Sequence, residues 1–278
     1  MDGRLDGVRP PHLVFNAEVV CVSEGDGVTA LHPKTGKVLW HSAGPNERMK
    51  LTQDLLLATR CGQSDVIEKE GRPLTARSVS TGKEVFRVKL PSDFDDPEPI
   101  EERAGFILVK NARPFWEGKS LLIDKEGHTR MRWDRLIVDA IRQGDDLILL
   151  SPQQLTRLNL DKSIRWVMPL AEHPGGLRGG ILRMDNGDLI VYRYDHFADS
   201  GVDLVRLEPD KGKKVWGTFC KELGVDHLGY SHKVNVTLQD RRLKVASHGS
   251  FGDFMELIDP QTGKQLQRKE YRGDDRLP

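Results

Sequence analysis

Short runs in which apolar and polar residues alternate, or apolar residues follow without a break, recur along the whole chain, and glycine, proline, aspartate or asparagine closes most of them. This is the pattern of β-strands joined by tight turns, and no stretch of useful length carries the 3.6-residue period of an amphipathic helix. In one interval the runs 136–142, 146–150, 155–160 and 163–168 predict four consecutive strands, with Gln-Gly-Asp, Pro-Gln-Gln and Asp-Lys between them.

The most regular stretch is Ala30 to Trp40, Ala-Leu-His-Pro-Lys-Thr-Gly-Lys-Val-Leu-Trp. It predicts a strand ending near His32, a tight Pro-Lys-Thr-Gly turn, and a second strand closed by a large aromatic. Close copies run from Ala76 to Phe86, Arg206 to Trp216 and Leu257 to Gln267, and looser ones from Leu122 to Trp133 and Leu158 to Trp166. The turn glycines of the close copies are Gly36, Gly82, Gly212 and Gly263. The closing positions Trp40, Phe86, Trp133, Trp166, Trp216 and Gln267 are separated by 46, 47, 33, 50 and 51 residues. Four of the five tryptophans fall there, so one physical demand is shared, and each ring is expected to pack between one repeat and its neighbour.

A period in the forties with room for four strands points to a β-propeller, one blade per repeat. The expectation is an all-β single domain over residues 1–278 with six four-stranded antiparallel blades. A seventh would need one of the longer intervals to hide a further strand set, and eight do not fit the length. Since 39 residues precede Trp40 and 11 follow Gln267, closure is expected to pair strands from both termini.

The recurring pattern of an aspartate or its substitute, Thr-Gly-Lys and an aromatic resembles the pyrroloquinoline-quinone-like propeller repeat, over the whole chain. His32, Ser78, Glu208 and Asp259 hold the usual aspartate position. The resemblance implies a fold shared by quinoprotein dehydrogenases and by pure scaffolds such as the outer-membrane assembly lipoprotein, so it speaks for architecture before activity. For the quinone enzymes it further implies eight blades, a calcium site and adjacent cysteines. Here Cys21, Cys61 and Cys220 are isolated, and no run concentrates oxygen ligands for a hard cation. No cofactor and no metal are expected.

Composition narrows the classes. Lysine plus arginine and aspartate plus glutamate number 42 each, so no global field favours nucleic acid or an anionic surface. Three scattered cysteines do not make a disulfide framework. The stretch from Met1 to His12 lacks the apolar core of a signal peptide and no later run approaches a membrane span, so a cytoplasmic protein is expected. The acidic run from Asp93 to Glu102 reads as a solvated, extended loop. The glycines from Gly175 to Gly180 lack the Gly-Lys-Ser/Thr ending of a phosphate loop and read as a flexible crossover. His173, His196, His227, His232 and His248 match no metal spacing, and neither GxSxG nor HExxH occurs.

Strand order places candidate binding residues. In a blade with strands A to D, the A–B and C–D turns share one end, while B–C loops and D–A crossovers share the other. The long segments are B–C (60–73, 111–119, 193–202, 247–254) or D–A (91–102, 171–180, 217–232), and elaborated loops on a rigid frame are where binding residues collect. Candidate partner contacts there are Phe115, Trp116, Tyr194, His196, Phe197, His248, Phe251 and Phe254. The expectation is a non-enzymatic scaffold that binds other proteins through this end. The alternatives are a propeller that binds or hydrolyses a small molecule or sugar in its channel, and a quinone-dependent dehydrogenase.

Overall fold

The computed structural model describes residues 12–24, 27–43, 47–60, 72–94, 100–111, 118–170, 178–194, 201–221, 233–249 and 252–271. These form 24 strands in six sheets, each of four consecutive antiparallel strands. Blade one is β1 (His12–Phe15), β2 (Val20–Glu24), β3 (Gly27–Leu31) and β4 (Val38–Ala43). Blade two is β5 (Glu47–Leu51), β6 (Leu55–Arg60), β7 (Pro73–Ser78) and β8 (Glu84–Lys89). Blade three is β9 (Ile100–Arg103), β10 (Phe106–Asn111), β11 (Lys119–Ile123) and β12 (Thr129–Trp133). Blade four is β13 (Asp139–Gln143), β14 (Asp146–Leu150), β15 (Gln154–Asn159) and β16 (Ile164–Pro169). Blade five is β17 (Arg178–Arg183), β18 (Leu189–Tyr194), β19 (Gly201–Glu208) and β20 (Lys213–Lys221). Blade six is β21 (Lys233–Gln239), β22 (Arg242–Gly249), β23 (Gly252–Ile258) and β24 (Gln265–Tyr271).

The contacts divide the chain into two compact units, residues 1–112 with 119–132, and residues 113–118 with 133–278. The first holds blades one to three and the second blades four to six. In blade four the second strand is covered on both faces and reads as an unbroken apolar run, Leu147-Ile148-Leu149-Leu150 of β14. The fourth strand is an edge and mostly exposed, and β4 alternates around a buried Trp40. The expected sharing of a blade between the two termini is corrected. β1, only four residues long, completes blade one locally, and β24 pairs with β23 inside blade six.

The C–D turns of blades one, two, five and six share one construction, in which the turn glycine N–H donates to the carbonyl four residues earlier. In blade six the Gly263 N–H donates to the Asp259 carbonyl at 2.8 Å, and Asp259 Oδ1 accepts the Gln261 N–H. The Lys264 N–H reaches Thr262 Oγ1 at 3.4 Å, and Gly263 takes φ +71°. That conformation favours glycine, which accounts for the Thr-Gly-Lys signature. Beyond the turn, the register of β4, β8, β16, β20 and β24 against its neighbour slips by one residue just before the closing position. A bulge of this kind re-aims the next side chain, and the rings point at the following blade. Trp40 lies on Gly82, Phe86 on Gly127, Trp166 on Gly212 and Trp216 on Gly263, each within 3.0 Å of where a Cβ would stand. The indole N–H of Trp40, Trp166 and Trp216 donates to the carbonyl of Val79, Pro209 and Pro260 at 2.8, 3.0 and 3.0 Å.

This packing gives a paired prediction. Gly82→Ala should destabilise by about 1 to 2 kcal/mol for its left-handed backbone and by about 1 to 3 kcal/mol more for displacing the Trp40 ring. Gly36→Ala, at φ +67° with nothing within 4 Å of its Cβ direction among the described residues, should show the first cost alone. Urea unfolding of the two variants measures the difference.

Candidate interaction surface

Every connection longer than six residues is a B–C loop or a D–A crossover. Between strands A and B, and between C and D, connections run from two to six residues, whereas B–C loops and D–A crossovers reach 12 and 11 residues, at 61–72 and 222–232. In each unit, therefore, one end of the sheets carries plain turns and the other the variable segments. The fourth expected B–C loop is shorter than its sequence suggests. Ser247, His248 and Gly249 extend β22, and Gly252, Asp253 and Phe254 open β23, leaving residues 250–251 between them.

Of the candidate partner contacts, Phe115, Trp116, His196, Phe197 and Phe251 lie outside the described residues, as do His173, His227 and His232. Tyr194 ends β18, stacked on Tyr192 at 6.5 Å and packed half-buried against the core of blades five and six. Phe254 belongs to the same core at 1% exposure. Its expected exposure is corrected, because the strand alternation of β23 turns it inward and the Arg268 guanidinium covers its ring at 4.5 Å. His248 is accessible, with Nδ1 3.2 Å from a carboxylate oxygen of the buried Asp253.

What the sequence reading missed at this end is a set of buried ionic ties. Arg193, 1% exposed, donates to Asp203 Oδ2 at 2.6 Å and to the Pro152 carbonyl, joining the B–C ends of blades five and four. Arg268 donates to Glu256 at 2.8 Å, Glu270 at 2.9 Å and the Lys221 carbonyl at 2.6 Å, joining blades six and five. Burial and the neighbouring Glu256 push the Cys220 thiol well above its ordinary range, so this thiol stays protonated. At the opposite end Arg157 pairs with Asp146 and reaches the Pro209 carbonyl, and Arg206 pairs with Asp188 and reaches the Pro260 carbonyl. Those carbonyls also take the Trp166 and Trp216 N–H. The available signal was an Asp at or just before the second strand with an Arg in the third.

Two further expectations need correction. The acidic run is anchored, not simply solvated. Asp93 bonds Lys119 at 2.8 Å and Arg132 at 2.6 Å, Phe94 is buried, and Glu101 and Glu102 lie in β9, paired with Lys110 and Lys125. Gly179 and Gly180 begin β17, where a Cβ would strike the Tyr192 carbonyl or ring, so close approach explains them. An Asp124, Glu126 and His128 cluster in the third C–D turn has ligand-type atoms within 4.8 Å of one another. Asp124 is occupied there by the Glu126 and His128 N–H groups and by Arg130, which makes it a turn cap. A polar cleft of about 480 Å³ lies by the A–B turns of blades two and three, lined by Lys50 to Gln53 and Glu101 to Gly105.

These ties carry a pH dependence. The Lys119 hydrogen bond, against the opposing effect of burial, and the charges of Arg132 and Lys119 hold the Asp93 carboxyl below its ordinary value. For Asp124 burial alone would act upward, and the His128 and Arg130 contacts outweigh it. A depressed carboxylate stabilises the fold fully above its unfolded pKa, and that contribution disappears as pH falls through the folded one. Melting temperature should therefore lose this contribution below a pH of about 4, and Asp93→Asn should flatten the acid limb in a calorimetric series.

Residues 6–121 match the family model described as outer membrane protein assembly factor BamB. The fold class is that of a β-propeller with six four-stranded antiparallel blades. The BamB structure from Moraxella catarrhalis is 15% identical, with a TM-score of 0.53 over 92% of this chain and 71% of that one. The WD40 domain of Toxoplasma gondii coronin is 12% identical, with a TM-score of 0.55 over 96% and 72%. A europium-containing methanol dehydrogenase is 12% identical, with a TM-score of 0.53 over 93% and 68%. At these identities the likeness is one of fold. No curated protein matches the propeller significantly, and among its described residues no helix is long and apolar enough to cross a membrane.

Proposed function

We propose that this propeller is a non-enzymatic scaffold, a subunit of a larger assembly, that binds other proteins through the end carrying its B–C loops and D–A crossovers. The observation that carries this reading is the segregation of variable segments to one end of the sheets, above buried ion pairs that hold the strand ends rigid. A rigid base lowers the ordering cost of binding, and aromatic side chains are the residue type that anchors such interfaces. Phe115, Trp116, His196, Phe197 and Phe251, with Tyr194 and His248 at their margin, are the proposed contacts, and the two units are taken to act as one domain. The BamB family match and the WD40 neighbour are consistent with a scaffold.

The test is affinity purification from the native host with Trp116 and Phe251 both changed to alanine. Specific partners should drop at least tenfold in yield while the melting temperature stays within a few degrees of the parent. A reducing, cytoplasmic location is part of the proposal and rests on the isolated cysteines, of which Cys21 and Cys220 are buried free thiols. The matched family description points to the cell envelope instead, and fractionation of native cells decides between the two.

A further inference from the structure

Of the six asparagines in the chain only Asn186 precedes a glycine. It stands exposed in the A–B turn of blade five, and blade five has both neighbours, blades four and six, within its own unit. Gly187 takes φ +90°, its N–H donates to the Met184 carbonyl at 3.0 Å, and the Met184 N–H donates to the Asp188 carbonyl at 2.8 Å. The Asn186 side chain is held against Asp188. Its Oδ1 accepts the Asp188 N–H and its Nδ2 donates to Asp188 Oδ2, both at 3.2 Å.

The same pair of backbone bonds closes the turns from Asp124 to His128 and from Asn159 to Ser163, which carry Glu126 and Asp161 at the position of Asn186. An acid is accepted there because the residue two on is His128 or Ser163. In blade five that residue is Asp188, whose Oδ2 accepts from Arg206 Nε at 2.8 Å and from its Nη2 at 2.6 Å. Arg206 Nη1 reaches on to the Pro260 and Gln261 carbonyls of blade six. A neutral side chain at position 186 therefore keeps a second carboxylate away from the anchor of an inter-blade tie.

We propose that Asn186 is a spontaneous modification site, converted to aspartate or isoaspartate, and that the conversion loosens the Arg206 tie between blades five and six. The Gly187 nitrogen attacks Asn186 Cγ, so a C–N bond forms, the bond to Nδ2 breaks, and ammonia leaves with the nitrogen's proton. Water then opens the succinimide ring at either carbonyl. Glycine has no Cβ to hinder the approach. The Gly187 N–H must first leave the Met184 carbonyl, and an exposed hairpin tip opens at small cost. Either product sets a carboxylate beside Asp188, where like charges repel, and isoaspartate also adds one backbone carbon to a turn closed by two hydrogen bonds. The site lies at the plain-turn end of blade five, so it goes beyond the loop-end reading and stands independently of it.

The experiment is incubation of the full chain in mildly alkaline buffer, followed by peptide-mapping mass spectrometry with isoaspartate detection and by the melting temperature. Asn186 should convert before any other asparagine, and the melting temperature should fall by about 2 to 4 °C, the shift that one weakened tie gives in a chain of this size. Asn186→Gln should block both changes. Asn186→Asp should reproduce the lower melting temperature in fresh protein, and should cost little in an Asp188→Asn background, where the opposing charge is gone. An Asn186 that outlasts the other asparagines, converted protein that melts like the parent, or an equal cost of Asn186→Asp with and without Asp188 overturns the proposal.

Discussion

Trp40→Ala is expected to lower the unfolding free energy by about 3 to 5 kcal/mol. The side chain is only 9% exposed, lies in the core that joins blades one and two, rests its ring on Gly82 and donates its N–H to Val79. Truncation removes the apolar contact, opens a cavity beside a glycine that has no side chain to fill it, and leaves the Val79 carbonyl without its donor. Trp40→Phe should recover most of the packing and lose only the hydrogen bond, about 1 kcal/mol. Urea unfolding followed by far-ultraviolet circular dichroism measures both. A loss below about 1 kcal/mol for the alanine variant would contradict the wedge role.

Arg193→Ala should cost a similar amount, about 3 to 5 kcal/mol, because removing one member of a buried pair leaves the other charged and desolvated. Asp203 is 18% exposed at its side chain and faces the guanidinium at 2.6 Å. The cost therefore belongs to the stranded carboxylate as much as to the lost bond. Replacing both residues with apolar ones of similar volume should restore much of the stability, and a double-mutant cycle in urea reads the coupling directly. Equal and additive losses for the two single variants would show that the pair does not act as a unit.

The architecture was legible because its determinants are local. A left-handed glycine, a threonine that caps the turn and a bulge before the closing aromatic all lie within one hairpin, so the repeat could be read without knowing what the ring touches. What the ring touches lies in the next blade, and only the structure matches Trp40 with Gly82. Features set by non-local contacts misled the reading in the same way. Gly252-Asp253-Phe254 looks like loop chemistry, yet Phe254 is drawn into the core of blades five and six. Gly179 and Gly180 look like flexible linker, yet the Tyr192 ring occupies the space their side chains would fill. Asp93 looks solvated until Lys119, 26 residues away, and Arg132, 39 residues away, are placed against it. The candidate site was legible as a set of long connections, because connection length follows from strand positions. Arg193 and Arg268 were not, because a buried arginine is recognised only by the acids and carbonyls that surround it.

The central functional claim is that partners engage the loop end, independently of the wedges that hold the blades together. Its most direct test is quantitative affinity purification from native cells with the parent, the Trp116→Ala and Phe251→Ala double variant, and Gly82→Ala, each with its melting temperature. The double variant should lose partners at parental stability, while Gly82→Ala should lose stability and keep its partners in whatever fraction remains folded. Undiminished partners on the double variant, or partners lost only in proportion to unfolding, would contradict the claim.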